Sequence, residues 1–454
     1  MTQDTIAAIS TALGEAAVSI VRLSGSDALA VAQRVLETRM ALASMPPRTA
    51  VLATARDADG RVLDRGLVIH FPAPRSYTGE TVIEFHGHGG MLVTQAVLAA
   101  FLTAGARPAE PGEFTQRAFL NGQMDLTQAE AVMDLIHAQS TLALRAANEQ
   151  LSGAIGREAH ALREPLVEIL AHIEAYIDFP DEDISPDTGA ALLQRLDGLR
   201  TAAQRLLATA DHGRILRHGA RTVIAGEPNV GKSSLLNRLA GFERAIVSST
   251  AGTTRDTIEE FIQVHGIPLR LIDTAGLRES EDAIEQAGVS RTRDELDKAD
   301  LILEVIDASQ PPRPEQRLAL PANAAARHLL ILNKTDLGLH PDWFEQRSAP
   351  STLQVSAETG EGLDRLRDAI RDLIRTGSTW SSDHPVAINT RHQACFQRAL
   401  QHLEAARTAL SSGQAPEFVA LDLREALQAL GEVIGHTDVE DILSVIFSSF
   451  CIGK

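Results

Sequence analysis

Cysteine is nearly absent from this chain. Two occur in 454 residues, Cys395 and Cys451, which excludes a disulfide framework and fits a reducing compartment. Aromatic residues are 4% of the chain against 44% hydrophobic residues overall, so any core must be packed mainly from aliphatic side chains. No run of about 18 apolar residues occurs, and no segment reads as a membrane span. The N-terminus has no basic stretch, since Asp4 and Glu15 flank its mildly apolar residues, and no signal peptide is expected. Basic charge is the scarcer sign: 42 Lys and Arg stand against 60 Asp and Glu, a formal net charge of −18. A general electrostatic grip on nucleic acid is therefore excluded, although a local basic patch or a gripping partner is not. The expectation is an acidic, soluble, cytoplasmic protein of about three domains.

What is present falls into four stretches. Residues 1–119 alternate β-rich runs with turns. "AAVSIVRLSG" and "VIEFHGHGG" read as strands running into glycine turns, and "MLVTQAVLAAFLTAG" as a helix closed by Gly105. From 120 to 215, Ala, Leu, Glu, Gln and Arg dominate. Leu162, Leu166, Ile169, Ile173 and Ile177 keep the spacing of an amphipathic helix. The acidic stretch at 178–187 breaks it, and one further helix is expected over 188–212. Residues 216–377 alternate short apolar runs with helices, the pattern of parallel strands covered by helices. Residues 378–454 are helical again. The expected fold is multidomain: an α+β N-terminal domain (1–119), an all-α bundle (120–215 with 378–454), and an α/β P-loop domain (216–377) inserted into that bundle. Neither helical stretch would bury its apolar face well alone.

The inserted stretch carries the chemistry. "GEPNVGKS", Gly226 to Ser233, follows a strand and opens a helix. There the glycines let backbone N–H groups turn toward phosphates, and the helix N-terminus adds its positive end. Lys232 is placed for the β and γ phosphates and Ser233 for Mg²⁺. "DTAG", Asp273, Thr274, Ala275 and Gly276, ends a strand, with Asp273 suited to water-mediated Mg²⁺ and the Gly276 N–H to a γ-phosphate. "NKTD" ends another. Its Asp336 can accept from N1–H and N2–H₂ of guanine, a donor pair that adenine lacks, and Asn333 and Lys334 would support the base. "SAE", Ser356, Ala357 and Glu358, offers backbone to guanine O6. "AGTTRD" lies between, with Thr254 placed to complete the Mg²⁺ shell. Five motifs in order, each at a strand end, resemble a small GTP-binding domain of the translation-factor class.

Two features remain open on this reading. Leu277 follows the "DTAG" glycine where many relatives place a water-orienting glutamine. Arg255, Arg278, Glu279, Glu281, Asp282 and Glu285 are the nearby candidates for that task. Secondly, the chain closes on "FCIGK". Read as a prenylation signal it fails, because Gly453 is not aliphatic and Lys454 is not a usual terminal residue. A frayed end and a tail that returns to a site are the alternatives. Cys395 has apolar neighbours and reads as core. His86 and His88 are too few for a metal site alone.

"SYTGETVIEFHGHGG" (76–90), "PGEFTQRAFLNGQMDLTQAEAVMDLI" (111–136), "GEPNVGKSSLLN", "AGTTRD" and the terminal "CIGK" together closely resemble the MnmE (TrmE) family of tRNA-modification GTPases, over essentially the full length. The resemblance implies a homodimer formed through a folate-binding-like N-terminal domain. It also implies an FAD-containing partner, MnmG (GidA), with which the wobble uridine of certain tRNAs receives a carboxymethylaminomethyl-type group from a folate one-carbon unit, a 5,10-methylene or 5-formyl tetrahydrofolate. It implies hydrolysis of GTP stimulated by K⁺. The family's folate contacts fall on Arg22, Glu84, Gln123 and Lys454, and Gln123 replaces a residue that is basic in some relatives. The nucleotide contacts run through Asn229, Val230, Gly231, Lys232, Ser233 and Ser234. They continue through Ser248, Ser249, Thr250, Ala251, Gly252, Thr253 and Thr254, then the "DTAG", "NKTD" and "SAE" residues. Mg²⁺ falls on Ser233 and Thr254; K⁺ falls on Asn229, Ser248, Thr250 and Thr253. The catalytic glutamate falls on Glu285, with Arg278 beside it in the switch, and fills the gap left by Leu277. Cys451 is either a nucleophile, which needs a depressed pKa, or a buried structural thiol.

The alternative is a regulatory GTPase of ribosome assembly without modifying chemistry. Such proteins usually carry an RNA-binding module with a GXXG loop and basic flanks, which 378–454 lacks.

Overall fold

In the computed structural model the residues described are 4–178, 189–242, 260–273, 295–313, 316–318, 320, 327–344, 351–376, 387–436, 443, 446–448 and 450–453. They form two compact units, Met1–Met133 with Gly431–Lys454, and Asp134–Leu430.

The first unit is built on a seven-stranded sheet. Its strands are β1 (Ile6–Ile9), β2 (Ala16–Ser24), β3 (Leu36–Thr38), β4 (Val51–Arg56), β5 (Val62–Phe71), β6 (Val82–Gly89) and β7 (Arg107–Pro108), in the order β3-β4-β5-β6-β2-β1-β7. All pairs are antiparallel except β1 with β7. Side chains alternate faces along a strand, and this alternation sorts the sheet. Val21, Leu23, Ile83 and Phe85 point into a core closed by α1 (Ala28–Val35) and α2 (Met91–Thr103), through Val31, Val35, Val97 and Phe101. The residues between them, Arg22 and Glu84, are cross-strand partners on the opposite face. Ile6 and Ala8 also face that side and pack with Ala109, Phe114 and Tyr77.

Helices α3 (Glu113–Leu120) and α4 (Leu126–His137) follow. The chain's last residues return to this unit: Leu443, Phe447 and Phe450 pack with Leu126, Ala129 and Met133. Gly112 makes this approach possible. It sits at φ 68°, and a Cβ there would lie 2.9 Å from Phe450 Cβ.

The second unit contains the helices α5 (Thr141–Leu151), α6 (Ala154–Asp178), α7 (Gly189–Leu207) and α8 (Ala210–His218). Leu162, Leu166, Ile169 and Ile173 are the buried stripe of α6, as their spacing predicts. The single helix expected over 188–212 is instead two. The turn at Ala208 and Thr209 closes α7, with Thr209 Oγ1 donating to the Leu206 carbonyl at 2.7 Å. The second helix then runs to His218, where Gly219 at φ 74° ends it.

A six-stranded sheet follows: β8 (Ala220–Ala225), β9 (Glu260–Val264), β10 (Ile267–Asp273), β11 (Leu301–Asp307), β12 (His328–Asn333) and β13 (Thr352–Gln354), ordered β13-β12-β11-β8-β10-β9. Only β9 runs antiparallel to its neighbour. The mainly apolar strands β11 and β12 are buried, as a sheet covered on both faces requires. Helices α9 (Lys232–Phe242) and α10 (Leu363–Thr376) supply Leu235, Leu239, Leu366 and Ile370 to one core layer.

The chain then returns to helices, α11 (Thr390–Ser411) and α12 (Pro416–Ile434). Across the insertion, Arg407 on α11 bonds Asp197 on α7 at 2.7 Å, and Arg424 on α12 bonds Glu174 on α6 at 2.8 Å. Helices α6 and α7 before the insertion therefore pair with α11 and α12 after it, whereas residues 120–133 and 431–454, expected in the same bundle, belong to the first unit. Cys395 is 3% exposed inside α11, in the core as expected.

Candidate functional site: a phosphate loop joined to a base-reading motif

The end of β8 runs into a loop that only certain residues can form. A Cβ on Gly226 would lie 2.2 Å from the Val305 carbonyl oxygen, so the loop passes too close to β11 for any side chain. Asn229 (φ 63°) and Gly231 (φ 95°) take left-handed conformations, which turn the backbone inward ahead of α9. Lys232 and Ser233 open that helix. The Lys232 ammonium donates to the carbonyls of Gly226 at 3.0 Å and Glu227 at 2.8 Å, bridging the mouth of the loop. Val230 is buried, while Asn229, Ser233 and Ser234 are exposed.

The parallel register brings the "NKTD" motif to the same sheet edge. Asn333, 1% exposed at the end of β12, donates through Nδ2 to the Val230 carbonyl at 2.8 Å and accepts through Oδ1 from Ala357 N at 3.0 Å. One side chain thus joins the phosphate loop, "NKTD" and "SAE". Lys334 follows at φ 63° and pairs with Asp307 at 2.7 Å. Burial pushes the Asp307 carboxyl up, but the hydrogen bonds from Lys334 and Ser309 outweigh it and hold the group below the usual range. Asp336 is exposed, and it accepts from Ser356 Oγ at 2.5 Å. The Ser356 oxygen accepts in turn from Thr359 N at 3.0 Å. Sequence reasoning missed Asp307. Its signal is its place at the end of β11, in register with Asn333.

A second polar cluster lies on the first unit's sheet. Arg22 Nε and Nη2 reach Glu84 Oε1 at 2.9 and 2.8 Å, and His86 bonds Glu84 Oε2 at 3.0 Å. Burial raises the Glu84 carboxyl, while the His86 hydrogen bond and then Arg22 lower it further, so it stays ionised below its ordinary 4.5. The Arg22 guanidinium sits 5.6 Å from the ring centres of both Tyr77 and Phe114. Tyr77 OH bonds Thr115 at 2.8 Å. These two rings were not expected. Tyr77 comes from the loop between β5 and β6 and Phe114 from α3, both far along the chain from Arg22, and no periodicity announces them. His88 bonds Asp64 instead of sharing the partner of His86. Among the described residues no group of three or more His, Cys, Asp or Glu could hold a metal. Gln123 is exposed and donates weakly to the Asn121 carbonyl at 3.4 Å.

The tail lies against this unit. Ile452 forms an isolated bridge with Pro111, and the Cys451 carbonyl accepts from Gly112 N at 3.4 Å. Gly453 sits at φ 98° where a Cβ would lie 2.2 Å from the Ile9 carbonyl oxygen. Ile9 ends β1, whose Ala8 pairs with Arg22. The Cys451 thiol is exposed, so the structure does not support a buried structural thiol. Ser248 to Thr254, Thr274 to Gly276, Arg278, Glu285 and Lys454 lie outside the described residues, as does the side chain of Asp273.

Comparison with known proteins gives the lineage. The family profile "GTP-binding protein TrmE N-terminus" matches residues 5–123, and "MnmE helical domain" matches residues 126–451. The tRNA modification GTPase MnmE of Akkermansia muciniphila is 54% identical over 453 residues, covering 99% of each chain. The proteins of the same name from Geobacter sulfurreducens and Aquifex aeolicus are 45% and 43% identical, each over all of this chain and at least 99% of their own. Among the described residues no helix is long and apolar enough to cross a membrane. This chain belongs to the MnmE family of tRNA modification GTPases.

Proposed function

We propose that this chain is a K⁺-stimulated GTP hydrolase that works as a cytoplasmic homodimer. With an FAD-carrying partner of the MnmG type, it takes part in placing a carboxymethylaminomethyl-class group on the wobble uridine of certain tRNAs, using a folate one-carbon unit. One observation carries the reading: Asn333 bonds the phosphate loop to the guanine motif, in a chain related along its whole length to tRNA modification GTPases.

In the hydrolytic half, water attacks the γ-phosphorus and the bond to the β–γ bridging oxygen breaks, giving GDP and phosphate. Lys232 exchanges the Gly226 and Glu227 carbonyls for phosphate oxygens, and Asp336 accepts from the guanine N–H groups. Ser233 and Thr254 are the residues that would hold Mg²⁺, and Asn229, Ser248, Thr250 and Thr253 would hold K⁺. Bound there, the cations would offset charge that develops on the phosphates. Glu285 orients the water. In the one-carbon half, a pterin ring fits the chemistry of the Arg22 face. Tyr77 and Phe114 offer aromatic surface and Glu84 an ionised acceptor, and Gly453 brings the tail to the neighbouring strand.

The test is to delete Cys451 to Lys454. GTP hydrolysis in K⁺ and Na⁺ would be measured, together with the modified wobble uridine in tRNA from cells carrying only that variant. Hydrolysis that persists and depends on K⁺, with the modification lost, is expected. Normal modification would remove the tail from the chemistry, and equal rates in the two salts would remove the K⁺ site.

A further inference from the structure

The phosphate loop of this chain carries an acidic side chain at its second position, Glu227. A carboxylate there adds negative charge to a site built to receive phosphates. The structure shows what answers it. Glu227 Oε2 accepts from Arg313 Nη2 at 3.0 Å and from Gln316 Nε2 at 3.2 Å. Gln316 is 8% exposed. Its Oε1 accepts from Arg313 N at 3.3 Å, and its N donates to the Arg313 carbonyl at 3.0 Å, so the two donors are bonded to each other.

This donor pair is anchored independently of Glu227. The next residues, Arg317 and Leu318, donate to Glu304 at 3.1 and 2.8 Å. Glu304 is fully buried in β11 and also bonds His328 at 2.8 Å. The donors therefore stand on the sheet and do not merely follow the loop. At its other end Glu227 is committed as well, because its carbonyl receives the Lys232 ammonium at 2.8 Å.

We infer that Arg313 and Gln316 clamp Glu227, neutralising its charge beside the phosphate site and holding the loop so that affinity favours the more highly charged triphosphate. Arg313 is half-exposed, so the ion pair adds little to folding stability. Its effect is on binding, where the triphosphate carries one more charge than the diphosphate. Arg313 and Gln316 are positioning residues; neither contacts the reacting atoms.

The inference rests on residues 226–233 being the phosphate loop. The experiment is a titration of the full-length protein with fluorescent GTP and GDP analogues at low and high ionic strength, with melting temperatures alongside. Arg313→Ala is expected to raise the GTP Kd about fivefold at low ionic strength and the GDP Kd less, with most of the change gone at high salt. Arg313→Lys should keep most of the native affinity, and the double variant Arg313→Ala with Glu227→Gln should return to within about twofold of native, because no charge is left to neutralise. Equal weakening of GTP and GDP, insensitive to salt and not rescued by Glu227→Gln, would reduce the Arg313–Gln316 pair to a structural element and overturn the clamp. Failure of the native protein to bind GTP would overturn the phosphate-loop reading itself, and the clamp with it, before any variant is made.

Discussion

Asn333 donates from its side chain to the Val230 carbonyl at 2.8 Å, so the residue that opens "NKTD" is bonded to the glycine-rich loop before α9. Its other side-chain atom accepts from Ala357 N. Asn333→Ala leaves a buried carbonyl and a buried N–H unpaired, at a cost of about 1–3 kcal/mol for each. Both thermal stability and GTP binding should suffer, the latter by at least about tenfold. Native melting and native GTP affinity in this variant would show that other contacts hold the three loops together.

A pH dependence is written into α8. His212 is buried there, and burial, followed by the Arg375 charge, lowers its imidazole from 6.5 to about 4. The fold therefore favours the neutral ring. Above pH 6.5 folded and unfolded chains are both neutral at this group and stability does not change with pH. As pH falls from there toward about 4, the unfolded chain takes up a proton that the fold resists, and up to about 3 kcal/mol is lost. His212→Gln should flatten that limb. Urea unfolding at about pH 7 and about pH 5 measures it; the same drop in native protein and variant would assign the sensitivity elsewhere.

How much of this was legible in the sequence depends on the range of the interaction. Strand, loop and helix around Gly226 to Ser233 are local, and the motif fixes them through backbone constraints that glycine alone meets at Gly226. The Arg22–Glu84 pair was reached only through the family resemblance, although strand alternation then accounts for their shared face. Tyr77 and Phe114 were not legible, because their approach to Arg22 depends on how a distant loop and the start of α3 close on the sheet. The break between α7 and α8 was missed because the apolar spacing continues across it, while Thr209 and a local turn decide the geometry.

Docking of the tail hangs on one atom that is missing. Gly453 needs φ 98° and leaves no room for a Cβ against the Ile9 carbonyl. Gly453→Ala should release residues 451–454 without touching the phosphate loop. Carboxypeptidase should then digest the C-terminus faster, and wobble modification should fall while GTP turnover stays within about twofold of native. Unchanged digestion would mean that the bridge between Pro111 and Ile452 suffices to hold the tail.

The last prediction concerns the water. Leu277 stands where many GTPases carry a glutamine, and an alkyl side chain can neither accept from nor donate to a nucleophile. If Glu285 supplies that function, as the family resemblance implies, its removal should affect the transition state and not the ground state. Glu285→Ala should keep GTP affinity within about twofold and lower turnover by about 100-fold or more, the range for loss of a positioned acid–base group. Glu285→Gln should recover part of that loss if orientation is what matters, and none if proton acceptance is. Single-turnover hydrolysis in K⁺, with GTP affinity measured separately, distinguishes these cases. Native turnover in Glu285→Ala would return the task to Arg255, Arg278, Glu279, Glu281 and Asp282, which share the segments around it.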